Sequence, residues 1–110
     1  MQKLMKDIKA LVKQECEKVA RKCGNTNHSD YESVSVLAEE LEELHISTSN
    51  VAKEAQDFWR AIKVCAPNYE KKEILKSIQK DATMAAYNAI QTAVMAHRAI
   101  KTIENREVKQ

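Results

Sequence analysis

The sequence predicts an all-α protein of three main helices, at about residues 2–23, 30–65 and 68–104, the last two forming a long antiparallel pair in an oligomeric bundle. Three observations lead there. One Gly and one Pro among 110 residues are too few for turn-rich β structure. Ala, Leu, Lys, Glu, Gln and Met dominate, and these favour helix. Apolar residues recur at intervals of three and four through three separate segments. At this length a single all-helical domain spanning 1–110 is expected.

The first helix carries Leu4, Ile8, Leu11, Val12, Cys16, Val19, Ala20 and Cys23 at helical spacing. Gly24 is expected as its left-handed C-terminal cap, with Asn25–Asn27 as a polar turn. The second helix opens at SDYE, where Ser29 and Glu32 have capping-box spacing. Its apolar seam runs Val34, Leu37, Leu41, Leu44, Val51, Ala55, Phe58 and Ile62, with Thr48 in the one polar slot. Ser, Thr and Asn in HISTSN are weak helix formers, but the register is preserved across them, so one helix is expected from about 30 to 65. The alternative is a break at Ser47–Asn50 that folds the chain back.

Ala66-Pro67 ends the second helix, because Pro disfavours helical geometry in the residue before it. Asn68 can cap the third, with Glu70 near its positive end. Leu75, Ile78, Ala82, Ala85, Ala89, Thr92, Ala96, Ala99 and Ile103 form its seam, mostly Ala, which admits close approach of a neighbour. The end, ENREVKQ, is expected to fray. At about 1.5 Å per residue the two long helices each extend on the order of 50 Å, and three such helices cannot enclose all their apolar surface. A homodimer or homotetramer is therefore expected.

Several function classes drop out. The net charge is +2 with both signs mixed, so no basic tract for nucleic acid is present. The start MQKLMKDIKALVKQ is too charged for a signal peptide or a membrane span, which predicts a cytoplasmic protein without membrane attachment. Cys16, Cys23 and Cys65 lack C-x-x-C spacing and fit reduced thiols. His28, His45 and His97 have no zinc-ligand spacing, and no P-loop or nucleophile–His–Asp set occurs.

The stretch VLAEELEELHIST holds Glu39, Glu40, Glu42 and Glu43, with no Lys or Arg between Lys22 and Lys53. Glu40 and Glu43, three apart, lie side by side on one flank of the Leu seam, while Glu39 and Glu42 lean outward. Mg²⁺ would offset their repulsion, and it commonly takes one or two protein carboxylates plus substrate phosphates. The same pattern equally describes a solvated acidic face. A second stripe on the third helix, Asp81, Met84, Asn88, Gln91, Met95 and Arg98, could bring Asn88 and Gln91 near the level of Glu40 and Glu43. Those amides suit a base or sugar better than a metal, and they equally suit a helix boundary. Trp59 could stack on a base with Arg60, Lys63 and Arg98 toward phosphates, or pack at a helix interface.

Two runs carry a resemblance. YESVSVLAEELEEL resembles the metal-binding helix of MazG-like all-α nucleotide pyrophosphohydrolases, whose motif is E-E-x-x-E; Glu39, Glu40 and Glu43 match it. AAYNAIQTAVMAHRAI resembles a later helix of small phage and Firmicutes members, and with DFWRAIK the likeness covers residues 31–103. The resemblance implies a helical dimer or tetramer that hydrolyses a nucleoside triphosphate to monophosphate and pyrophosphate with Mg²⁺. Glu40 and Glu43 would be ligands and Glu39 a ligand or an orienting group. The family's second motif, E-x-x-D, falls on Asn88 and Gln91, both amides. An E-x-x-D does occur at Glu54 and Asp57, but on an unbroken helix it lies about 16 Å beyond Glu43. Weakened or lost hydrolysis is the expectation, with a nucleotide-binding protein without hydrolysis, such as a phage-encoded sponge, or a purely structural oligomer as alternatives.

Overall fold

The computed structural model describes residues 1–109, with side chains to Val108. Three helices account for most of the chain: α1 (Gln2–Cys23), α2 (Asp30–Lys63) and α3 (Asn68–Lys109). No strand occurs among the described residues, and α2 and α3 pack against each other over long stretches. No helix is long and apolar enough to cross a membrane.

α2 runs without a break through HISTSN. Two of the hydroxyls there, those of Ser47 and Thr48, are returned to the helix itself. Ser47 Oγ donates to the Glu43 carbonyl at 3.1 Å, and Thr48 Oγ1 to the Leu44 carbonyl at 3.0 Å. At the start of α2, Ser29 Oγ accepts from the Glu32 amide at 3.1 Å, one half of the expected capping box. The other half is displaced by one residue: Glu32 Oε2 accepts from the His28 amide at 3.1 Å and meets His28 Nδ1 at 2.8 Å.

The ends correct three local expectations. α2 stops at Lys63, not Cys65, because a Schellman turn closes it. The Ala66 amide donates to the Ala61 carbonyl at 2.9 Å and the Cys65 amide to the Ile62 carbonyl at 3.1 Å. Cys65 therefore takes the left-handed position (φ 53°) normally given to Gly or Asn. At the start of α3 the cap carbonyl is that of Pro67, which accepts from Glu70 and Lys71. α3 continues past residue 104 to Lys109 because its last turns have partners: Lys101 with Glu104 at 3.5 Å, and Arg106 with Asp30 at 3.1 Å. Gly24 does have positive φ (82°), but its ψ of 174° is extended, so the chain leaves α1 abruptly into the polar turn.

Contacts resolve the chain into two compact units, Met1–Leu41 with α3 from Ala89 onward, and Glu42–Asn88. In the second unit the antiparallel ladder is explicit. Asn88 Nδ2 donates to Ser47 Oγ at 2.7 Å and to the Glu43 carbonyl at 3.2 Å. Glu54 lies seven residues after Ser47 and Asp81 seven before Asn88, and a side-chain hydrogen bond joins these two as well. Leu44, Val51 and Phe58 of α2 and Ile78 and Ala85 of α3 are half-buried in this unit. The predicted seam is thus split lengthwise. Its Leu44 row turns inward, while Ile62 and Leu75 stay exposed. In the first unit Leu37 turns inward likewise, and Val34, Leu41 and Ile103 remain exposed. The apolar wedge of each helix is wider than one helix–helix contact can cover.

Candidate functional site

The acidic stretch occupies consecutive turns of α2. Glu39, Glu42 and Glu43 are exposed and Glu40 is half-buried. Among the described residues no ion pair joins Glu39, Glu42 or Glu43 to a basic side chain. The spacing of E-E-x-x-E survives on an uninterrupted helix, as a carboxylate cluster at the surface. Among the described residues no group of three or more His, Cys, Asp or Glu side chains is placed to hold a metal ion. These donors do not form a closed protein cage for Mg²⁺.

The amides expected opposite this stretch are turned to structural work. Asn88 is buried, and its Nδ2 is held by Ser47 and the Glu43 carbonyl. Gln91 Nε2 donates to Glu15 Oε2 of α1 at 3.4 Å. Arg98 is more deeply committed. Its Nε donates to Asn27 Oδ1 at 2.7 Å and its Nη2 to the Thr26 and Cys23 carbonyls at 2.8 and 3.2 Å, while Nη1 reaches the Gly24 carbonyl. Those carbonyls include the unpaired acceptors at the C-terminal end of α1, where a cation is favoured. Asn27, buried at the centre of this cluster, also donates from its amide to Thr102 Oγ1 at 2.9 Å and from Nδ2 to Ser33 Oγ at 2.8 Å. The cluster ties the α1–α2 turn to α3.

Trp59 stands exposed with the Lys63 ammonium 5.1 Å from its ring centre. Arg60 pairs with Asp57 at 3.4 Å. Asp57 is consequently an ordinary surface carboxylate. Its predicted companion Glu54 points inward to Asp81.

That Glu54–Asp81 pair is the feature a reading of motifs passed over. Its Oε1 is closed to water and meets no donor among the described residues. The Glu54 carboxyl is held above the ordinary carboxylate range, first by its hydrogen bond with Asp81, then by burial, then by the charges of Asp81 and Asp57; Lys53 opposes. The hydrogen bond requires a proton that two ionised carboxylates lack. Heptad spacing was the available signal, since Glu54 follows Glu40 and Ser47 on one row.

In the first unit a cavity of about 470 Å³ opens between α1, the 24–26 turn and the end of α3, lined by Cys16, Val19, Val94, His97 and Lys101 among others. The Cys16 thiol is pushed up, chiefly by burial and further by Glu15 and Glu17, so it stays protonated at neutral pH and is a poor nucleophile. No family model matches the chain, and neither a curated protein nor a solved structure is similar to it.

Proposed function

We propose that this chain is a MazG-like helical protein of nucleotide metabolism, a Mg²⁺-dependent nucleoside triphosphate pyrophosphohydrolase of weakened activity. The observation that carries the proposal is the cluster Glu39, Glu40 and Glu43, set at E-E-x-x-E spacing on an unbroken helix, with Glu39 and Glu43 in no ion pair among the described residues. Two carboxylates of this cluster, Glu40 and Glu43, would hold the cation jointly with triphosphate oxygens, since Mg²⁺ does not need an all-protein cage. Bound there, the cation would neutralise phosphate charge. Asn88 and Gln91 supply no second carboxylate pair, which is the reason to expect slow turnover.

The test is pyrophosphate release from each nucleoside triphosphate with Mg²⁺, using the wild type and a Glu40→Gln/Glu43→Gln variant. Release that is lost in the variant supports the proposal. No release from any of them rejects the enzyme.

A second reading has its own support. Asn88, Gln91 and Arg98 are all engaged within the fold, which favours a structural helical oligomer over the other non-catalytic alternative, a nucleotide binder without hydrolysis that would use those side chains. A thermal-shift panel of nucleotides separates these, because a ligand that binds the native state raises the melting midpoint.

A further inference from the structure

The chain makes two turns between helices, and they are built from opposite materials. The turn after α1, Gly24 to Ser29, is polar apart from its glycine, and Arg98 and Thr102 hold it by hydrogen bonds. The turn between α2 and α3, Val64 to Pro67, has no charged side chain and no polar one beyond the Cys65 thiol. A water-facing turn is normally rich in Ser, Asn, Asp and Gly. Here even the left-handed position that suits Gly or Asn carries Cys65 (φ 53°).

Apolar exposure continues from that turn into the adjoining helix ends. Val64 is 74% exposed, Tyr69 69% and Trp59 57%, and Ile62 is exposed beside them. Between Trp59 and Lys72 the chain has four basic residues, Arg60, Lys63, Lys71 and Lys72, and one acid, Glu70. Arg60 pairs with Asp57, but no ion pair among the described residues engages Lys63, Lys71 or Lys72. Lys63 lies instead over the Trp59 ring, at 5.1 Å. All of these residues belong to the compact unit Glu42–Asn88, at the end where α2 gives way to α3. The cations sit within about 8 Å of the turn along the helix axes, so they form a collar around an apolar tip.

We propose that this hairpin tip is a reversible docking site for an anionic lipid bilayer, with Val64, Tyr69 and Trp59 entering the headgroup region and the lysines meeting lipid headgroup anions. Trp and Tyr favour the bilayer interface, which accommodates an apolar ring and a polar edge together. Each lysine held near the surface adds attraction for anionic lipid. The same cations disfavour a protein occupant. Protein interfaces are depleted in Lys, and a second copy seated on this tip would bring like charges together. Attachment of this kind is peripheral, since no helix is long and apolar enough to cross a membrane. It revises the expectation of no membrane attachment, which rested on the first fourteen residues. It is independent of any nucleotide chemistry.

Flotation with vesicles of phosphatidylcholine mixed with phosphatidylserine, against phosphatidylcholine alone, is the first test. Binding to the mixed vesicles that falls as salt is raised is expected; no binding, or equal binding to both, overturns the proposal. Trp59 is the sole tryptophan, so its emission should shift to the blue on binding and be quenched by brominated lipid. An unmoved emission in vesicle-bound protein overturns the assignment to this tip. Lys71→Gln/Lys72→Gln should weaken binding by about tenfold or more, with helix content by circular dichroism unchanged. Val64→Ser/Tyr69→Ser, at two exposed positions, should weaken it as well. Unchanged binding in both variants overturns the proposal, and should either variant lose helix, the Trp59 emission of the wild type decides. The start of α1 also exposes Leu4 and Leu11. Leu4→Ser/Leu11→Ser should bind as the wild type does; loss of binding there, with both tip variants still bound, assigns the membrane to α1 and defeats the proposal.

Discussion

Both units place polar residues on the helix row that faces a neighbour, and they differ in how those residues are satisfied. In the Met1–Leu41/Ala89 unit the polar row ends in a closed network, where Arg98 and Asn27 match donors to carbonyls and hydroxyls. In the Glu42–Asn88 unit Asn88 and Ser47 are satisfied, but one step along the ladder Glu54 meets another acid. A guanidinium with a fixed fork of donors can organise several acceptors at once. Two carboxyls can organise only themselves, and only by keeping a proton. The first arrangement specifies a turn; the second is a point of electrostatic cost at neutral pH.

The largest effect is expected in the first unit. Arg98→Met should remove about 3 kcal/mol of stability, read by urea unfolding at fixed protein concentration, because several carbonyls and Asn27 Oδ1 lose their donor together. Arg98→Lys should recover less than half of that, since an ammonium cannot serve the fork; a full recovery would mean charge alone matters. In the second unit Asn88→Ala should cost about 1–2 kcal/mol, the lower part of the range for removing one partner of a buried polar pair. A cost equal to that of Arg98→Met would erase the contrast between the units.

Smaller effects sharpen it. Cys65→Gly should stabilise the second unit by about 0.5–1 kcal/mol, since the left-handed C′ position of the Schellman turn suits Gly. The pH responses should differ in sign. The Glu54 carboxyl is raised, so the folded state holds its proton more tightly than the unfolded chain; its contribution is full in acid and is lost as pH rises from the ordinary carboxylate range through the raised value. Glu32 is lowered, chiefly by its hydrogen bonds from His28, so its contribution is present at neutral pH and is lost as pH falls below the ordinary range. Melting curves between pH 4 and 7 should show a more favourable neutral midpoint in Glu54→Gln and a flatter acid loss in Glu32→Gln. The same slopes in both variants would show that neither carboxyl is the source.

Much of this was legible in the residues. The three helices and the continuity of α2 through HISTSN follow from periodicity, which acts over a few neighbouring residues. The E-E-x-x-E spacing of Glu39, Glu40 and Glu43 was equally visible. The inward row was harder to see. Val34, Leu41 and Ile62 looked like core, and Ser33, Glu54 and Asp81 did not, yet burial runs the other way. A helix period defines an apolar wedge but not the point on its circumference where the neighbour touches. That angle is chosen by contacts between distant residues, Asn88 with Ser47 and Asn27 with Thr102.

Arg98 illustrates the same division. By spacing it belonged with Asn88 and Gln91 on a stripe suited to a ligand, and only the folded chain shows its donors consumed by the turn after α1. The sequence by itself determined the helices, their ends to within a few residues, and the motif spacing, because those depend on local backbone preference and on a repeat of 3.6 residues. Tertiary structure alone decided which row of each helix is inside, which polar groups are spent on the fold, and which apolar rows stay exposed, because pairing of donors and acceptors across 40 to 75 residues of chain sets the rotation of one helix against another.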